Sequence, residues 1–303
     1  MSQERRIIVM KKCILLCLTF LISVYCNAQN DEDYSLEGLS KACLNCTRIT
    51  PFHEGLAFIT KDEKKGVIDK KGNIIVPIEY DDISTFTNGT ANVYKGDMEG
   101  EIDNKGKMIT PFHKMSDEMI LVDSYSVNEN TYKYSEGLAV MDKNDKFGYI
   151  DENGTIVISP KYDLANDFHD GLAVVAVIAN NSFNYGYVDK QGREIMPCQF
   201  FDAIDFSEGF AVVRKEMGST YCFYNTKGEK EYNTDFNYCR SFKEGMAVIG
   251  NEEGKMGYIN QHGEMVIPYN YDYLDDFSEG LAIVMRDGKL GYIDKQGRCT
   301  LDF

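Results

Sequence analysis

The 303-residue chain has no tryptophan and four histidines, and its 32 Lys and Arg residues are outnumbered by 48 Asp and Glu, for a formal charge of −16. So acidic a surface repels phosphate backbones and anionic lipid, which excludes nucleic acid as the expected partner and leaves a basic protein compatible. Chemistry-bearing motifs are also scarce. There is no glycine-rich phosphate loop and no serine-nucleophile motif. Asp151-Glu152-Asn153-Gly154 is shorter than a calcium loop and lacks its closing glutamate. His53 and His169 share a register beside a recurring aromatic position, and His113 and His262 stand apart. No catalytic residue, cofactor or metal ligand is therefore expected, and the chain reads as a non-enzyme. A hydrolase using two unrecognised carboxylates is the alternative.

What the chain has in abundance is repetition. Phe277-Ser278-Glu279-Gly280-Leu281-Ala282 recurs with its glycine at Gly55, Gly89, Gly137, Gly171, Gly209, Gly245 and Gly280. A period of about 35 residues means that each unit is one supersecondary element that buries its apolar face on its neighbours. Three residues before each marker stands an aromatic anchor: Phe52, Phe86, Tyr134, Phe168, Phe206, Phe242 and Phe277. Two residues after it stands alanine, from Ala57 to Ala282. A ring and a methyl group at fixed offsets point to a repeated packing contact, with a stacked aromatic ligand platform as the second reading.

Each unit reads as three strands. Leu172-Ala173-Val174-Val175-Ala176-Val177-Ile178 is a β-branched run without helical period, and Gly186-Tyr187-Val188-Asp189 is a second strand. Asp or Asn then precedes Gly by three residues in every unit, as in Asp69 to Gly72 and Asp294 to Gly297, which is type I turn chemistry closing a hairpin. A third strand follows and is expected to end at Pro77, Pro111, Pro160, Pro197 or Pro268. Unit five departs, with Cys222 in place of a glycine and no proline. These features predict an all-β tandem array of about seven three-stranded repeats over residues 52–303, arranged as an open curved or superhelical stack, with a seven-bladed propeller-like ring as the alternative. The open stack is preferred because units this short leave little chain for four strands per blade. In such a stack Phe277, at the end of the array, contributes less than Phe206 or Phe242. A polar insertion at 115–133 departs from the period and places Tyr125 and Tyr132 as partner-contact candidates.

Residues 1–28 read as a signal peptide: Lys11-Lys12, an apolar run from Cys13 to Tyr25, and a cut after Ala28. Met10 is a second candidate start, and retention through an uncleaved signal or a lipid on Cys26 is the alternative. Removing this segment's net +3 takes the formal charge from −16 to −19. No stable membrane insertion is expected afterwards. Residues 29–51 form a lead-in and candidate cap, since Ile49-Thr50-Pro51-Phe52-His53 copies Ile109-Thr110-Pro111-Phe112-His113, the third strand of unit two. Six cysteines remain: Cys43, Cys46, Cys198, Cys222, Cys239 and Cys299. Cys43-Leu44-Asn45-Cys46 lacks the helix N-terminus of a redox motif and the further ligands of a zinc site, leaving a local disulfide or free thiols, with connectivity open.

Phe-x-Glu-Gly-Leu-Ala, then Gly-Tyr-Ile-Asp-x-x-Gly, then Pro-x-Tyr-Asp together resemble the WG-repeat family over about residues 52–303. The family's tryptophan is replaced by Phe147, Tyr185, Met256 and Leu290, and by Lys65 and Glu99 in the first two units, which implies looser N-terminal packing. The resemblance implies a β-rich scaffold, frequently exported, with no shared catalytic residues. The expected function is an exported noncatalytic scaffold that binds a protein or glycan at the cell envelope, exposed as a periplasmic, surface or secreted protein. A structural envelope-maintenance protein without a dissociable ligand is the alternative.

Overall fold

The computed structural model describes residues 33–115, 132–232 and 236–302. The signal segment and most of the insertion, Tyr125 included, lie outside the described residues. Leu36–Phe303 forms one compact unit. Among the described residues it contains seven antiparallel sheets of three or four strands, each with its strands in sequence order, and one α-helix, α1 (Leu36–Cys43).

The fourth repeat shows how the sequence dictates a sheet. Leu172–Ala179 pairs with Ser182–Asp189, which pairs with Glu194–Phe200, the three strands expected. A two-residue strand, Leu164–Ala165, adds to the inner side by pairing with Ala176 and Val175. The marker loop joins this piece to the first long strand, and its two central residues take positive φ, as at Glu279 (53°) and Gly280 (85°). Two such residues in succession make a type I′ turn, whose twist matches the strands it joins. The Asx turns close the second hairpin in all seven repeats. Asp189 Oδ1, for example, accepts from the amides of Gln191 and Arg193, while Gly192 N–H donates to the Asp189 carbonyl at 2.9 Å.

The prolines do not end the third strands. Pro160 and Pro197 sit inside Ile156–Tyr162 and Glu194–Phe200. Tyr187 faces Met196 while Tyr185 faces Phe200, so the outer strand bulges there by two residues. Because this strand is the outermost of its sheet, the missing N–H breaks no ladder bond. The bulge also explains the second recurring glycine. A Cβ on Gly148 would lie 2.3 Å from the Ile158 carbonyl oxygen and 2.7 Å from Pro160 N. In repeat five, which has only three strands, no such bulge crosses this position and Cys222 fits there, buried.

From repeat three onward, neighbouring repeats are joined by contacts drawn from one recurring set. The anchor ring packs on the second-strand tyrosine of the preceding repeat: Phe168 on Tyr149 with centroids 4.7 Å apart, Phe206 on Tyr187 at 5.1 Å, Phe277 on Tyr258 at 4.8 Å. The tyrosine hydroxyl donates to the carbonyl two residues before that anchor, Tyr149 to Asn166 and Tyr187 to Ile204, both at 2.8 Å. Serine after the anchor donates to the next anchor's carbonyl, Ser135 to Phe168 and Ser207 to Phe242, both at 2.7 Å.

The same set joins repeat seven to repeat one. Ser278 Oγ donates to the Phe52 carbonyl at 2.7 Å, Tyr292 Oη donates to the Thr50 carbonyl at 2.7 Å, and Phe52 packs on Tyr292 at 5.0 Å. The array of seven repeats is therefore a closed ring, the second of the two arrangements left open by the sequence, and not the open stack. Short units suffice because the innermost strand needs only two residues. Phe277 consequently has neighbours on both sides, contrary to its expected terminal role.

Closure needs a substitute, because sheet seven has no third long strand. In four other repeats the glycine of the Asx turn faces the outer strand of the preceding repeat, Gly106 facing Ile75, Gly192 Ile158, Gly228 Ile195 and Gly297 Ile267. In repeat one, Gly72 instead faces Gly38 and Leu39 of α1, so closely that a Cβ would meet Gly38 C at 2.2 Å. Helix α1 packs on Lys289–Asp294 of repeat seven, with Leu39 wholly buried, and fills the place of the absent strand. Arg48–Ile49 is the innermost strand of sheet one and not the copy of an outer strand that its likeness to Ile109-Thr110 suggested, because the anchor Phe52 requires the inner position.

Candidate functional site

Most residues that recur are fully engaged in holding the ring. The residue before each marker glycine is acidic in six repeats and Asn88 in the second. In five junctions its carboxylate accepts from the next repeat's marker amide: Glu136 from Gly171 at 3.0 Å, Asp170 from Gly209 at 2.8 Å, Glu208 from Gly245 at 2.8 Å, Glu244 from Gly280 at 3.0 Å, and Glu279 from Gly55 at 3.1 Å. Lys190, Lys295 and Lys70 pair with Glu136, Glu244 and Glu279 at 3.0–3.1 Å. Burial alone would raise these three carboxyls, but the lysine and amide partners outweigh it and hold all three below the ordinary value. The sequence displayed this acid in register. Its role was not legible, because each partner lies in the next repeat, and for Glu279 that partner is at the far end of the chain.

The anchors fall into two groups. Phe52, Phe168, Phe206, Phe242 and Phe277 are buried, as are all seven marker alanines. Phe86 is half-buried against Phe58 at 6.1 Å. Tyr134 is 38% exposed, and repeat two supplies Glu101 where repeats three to seven supply tyrosine or phenylalanine. It turns instead toward Tyr132, 43% exposed, in an edge-on contact at 6.4 Å. Of the two contact candidates in the insertion, Tyr132 thus stands at the surface beside an anchor that the core does not take up.

The feature that sequence reading missed lies in repeat four. Its first hairpin has eight residues per strand, where the other six repeats have five or six. The two extra pairs, Ile178 opposite Phe183 and Ala179 opposite Ser182, project beyond the sheet and turn through Asn180 and Asn181, both at positive φ. Ile178 is 55% and Phe183 37% exposed, and Phe183 continues to Tyr185 with centroids 6.1 Å apart. The hairpin base is held by Asp163, which accepts from Ile178 N–H at 2.9 Å and pairs with Lys146 at 2.5 Å. In repeat five the corresponding loop carries Met217, 80% exposed. The spacing of 38 between Gly171 and Gly209 was the available signal.

Two clefts accompany these features. One, of about 380 Å³, lies across repeats four to seven, where Arg240 pairs with Asp275 at 2.9 Å and Asp276 at 3.5 Å beside His169 and Lys243. Burial pushes the Asp276 carboxyl up. The other, of about 530 Å³, lies between the end of α1 and repeat seven and is lined by Cys43 and Cys46. Among the described residues no cluster of three or more His, Cys, Asp or Glu is arranged to hold a metal, and no helix is long and apolar enough to cross a membrane.

Seven small sheets closed through one recurring contact set define a ring-forming β-repeat scaffold. Four of its repeats carry the pattern of the WG-containing repeat, at residues 66–98, 147–177, 185–216 and 256–289. No curated protein matches the sequence. Among solved structures the chain is similar to a eukaryotic initiation factor (9% identity, 84% of this chain and 75% of that one, TM-score 0.39) and to BamB from Moraxella catarrhalis (10%, 83% and 80%, TM-score 0.30). It is also similar to PorZ, a surface component of the type-IX secretion system of Porphyromonas gingivalis (9%, 82% and 37%, TM-score 0.37). Similarities this low transfer no function.

Proposed function

We propose that this protein is an exported, noncatalytic scaffold that binds a protein or glycan partner at the cell envelope. The observation that carries the reading is the enlarged hairpin of repeat four, which exposes Ile178 and Phe183 at a position where its sisters have already turned back. The recurring carboxylates, tyrosine hydroxyls and Asx side chains hold repeats together, so recognition falls to what differs between repeats. An exposed aliphatic and aromatic pair on a rigid hairpin suits a protein surface better than a sugar. Tyr132, at the edge of the insertion, extends the same logic to a second contact region. The net negative charge supports a basic partner, whose association would be faster at low salt because exposed charges steer encounter.

The test is to capture partners from cell-envelope extract and on a glycan panel, comparing the chain with its Ile178→Ala/Phe183→Ala variant. The expected outcome is a partner retained by the parent and lost by the variant, with unchanged thermal unfolding. A partner held equally by both places recognition elsewhere. Turnover of a glycan or peptide, abolished by one Asp or Glu substitution, would overturn the noncatalytic reading.

A further inference from the structure

Helix α1 ends at Cys43, and the chain turns back through Asn45 at φ 63°, with Cys46 N–H donating to the Cys43 carbonyl at 3.0 Å. The turn carries Cys46 back over the end of the helix, where its Sγ lies 3.6 Å from the Ala42 carbonyl oxygen. Cys43 is buried, whereas Cys46 is partly exposed, and both line the cleft beside Leu290 and Leu301 of repeat seven. The two positions differ electrostatically. Cys43 closes the helix, where unpaired carbonyls disfavour an anion. Pairing with Cys43 and the nearby Lys61 ammonium hold the Cys46 thiol below the ordinary value, while the same pairing and burial push that of Cys43 up. Cys198, Cys239 and Cys299 differ, since burial pushes the Cys198 and Cys299 thiols up to about 11 and raises Cys239 as well.

We propose that Cys43 and Cys46 form a thiol–disulfide exchange site in this cleft, with Cys46 attacking, Cys43 resolving, and a small cysteinyl-peptide disulfide as co-reactant. The Cys46 thiolate attacks one sulfur of the disulfide, breaking its S–S bond and releasing one thiolate, which takes up a proton. The resulting mixed disulfide is attacked by Cys43 after it loses its proton to solvent. A Cys43–Cys46 bond forms and the second peptide thiol leaves. The chain is oxidised by two electrons and the peptide disulfide is reduced to two thiols. Exposure of the attacking sulfur and burial of the resolving one are what this sequence requires. The order is the reverse of a pair at a helix N-terminus, because here the helix end suppresses ionisation of the first cysteine rather than promoting it.

The experiment uses the full chain in buffers of reduced and oxidised glutathione, with acid quenching, alkylation and peptide mass spectrometry. The parent should lose two hydrogens across Cys43 and Cys46 as a pair. Cys43→Ser should accumulate a glutathione mixed disulfide at Cys46, whereas Cys46→Ser should leave Cys43 free. In the unmutated chain at neutral pH, Cys46 should alkylate roughly tenfold faster than any other thiol. Equal alkylation of Cys46 and Cys198, or no glutathione trapped on Cys46 in Cys43→Ser, would overturn the proposal. The alkylation rates need no variant, so a folding defect in either serine mutant cannot obscure the result.

Discussion

Truncating Phe242 to alanine should destabilise the ring far more than truncating Tyr134, although both hold the same register. Phe242 is wholly buried, with Phe210 and Phe223 at 4.8 and 5.1 Å. Its ring is the hinge between repeats five and six, so its loss leaves a cavity bordered by both. Phe→Ala in such a site costs about 3–5 kcal/mol, equivalent to roughly 6–20 °C in Tm at about 2–4 °C per kcal/mol for a domain near this size. Tyr134 is 38% exposed and faces no second-strand ring, and its hydroxyl reaches only the Asp151 carbonyl at 3.3 Å. Its truncation should fall below about 1 kcal/mol, the range of surface substitutions. Urea and thermal unfolding of the two variants measure the difference. Equal losses, or an unchanged midpoint for Phe242→Ala, would refute the assignment of the anchors to inter-repeat packing and restore the platform reading.

Phe277→Ala should cost as much as Phe242→Ala, because ring closure gives it neighbours on both sides. Gly148→Ala should lose about 1–3 kcal/mol by denaturant unfolding, since the added carbon meets the bulged strand at 2.3 Å. Leu39→Ala should lose about 2–5 kcal/mol, and its effect should appear as earlier hydrogen exchange in repeats one and seven, which α1 joins. The depressed carboxyls of Glu136, Glu244 and Glu279 contribute stability that is complete above the ordinary glutamate value of 4.5 and is lost as pH falls through their lowered values. Removing one of them by Glu244→Gln should therefore flatten the acid limb of a stability–pH curve below about pH 4.5 and leave its slope near neutrality unchanged.

Features set by neighbours in sequence were legible before the structure. The Asx turns at Asp69, Asp151 and Asp294, the anchors and their alanines, and the hairpin strands all follow from local turn chemistry and period. Features set by neighbours in space were not. Pro160 reads as a terminator until the strand is seen to be outermost, where a missing N–H is harmless. The two-residue strands, such as Leu164–Ala165, are too short to leave a pattern. Glu279 shows no sign in sequence that its partner is Gly55, 224 positions away. Helix α1 replaces a strand by filling volume rather than by pairing, which no strand pattern could announce. The enlarged hairpin of repeat four was visible as a spacing of 38, yet spacing alone does not say whether extra residues lengthen a strand or a loop. For the insertion, spacing identified the segment, and Tyr132 is the candidate that the structure places at the surface.

Repeat seven meets repeat one through the same contacts by which repeat three meets repeat four. Spin labels on the first-hairpin tips, at Glu63 in repeat one, Glu253 in repeat six and Asp287 in repeat seven, test it by pulsed dipolar distance measurement. The closed ring predicts that the separation between 63 and 287 is comparable to that between 253 and 287. A separation between 63 and 287 several times the neighbouring one, as the ends of an open stack would give, would contradict it.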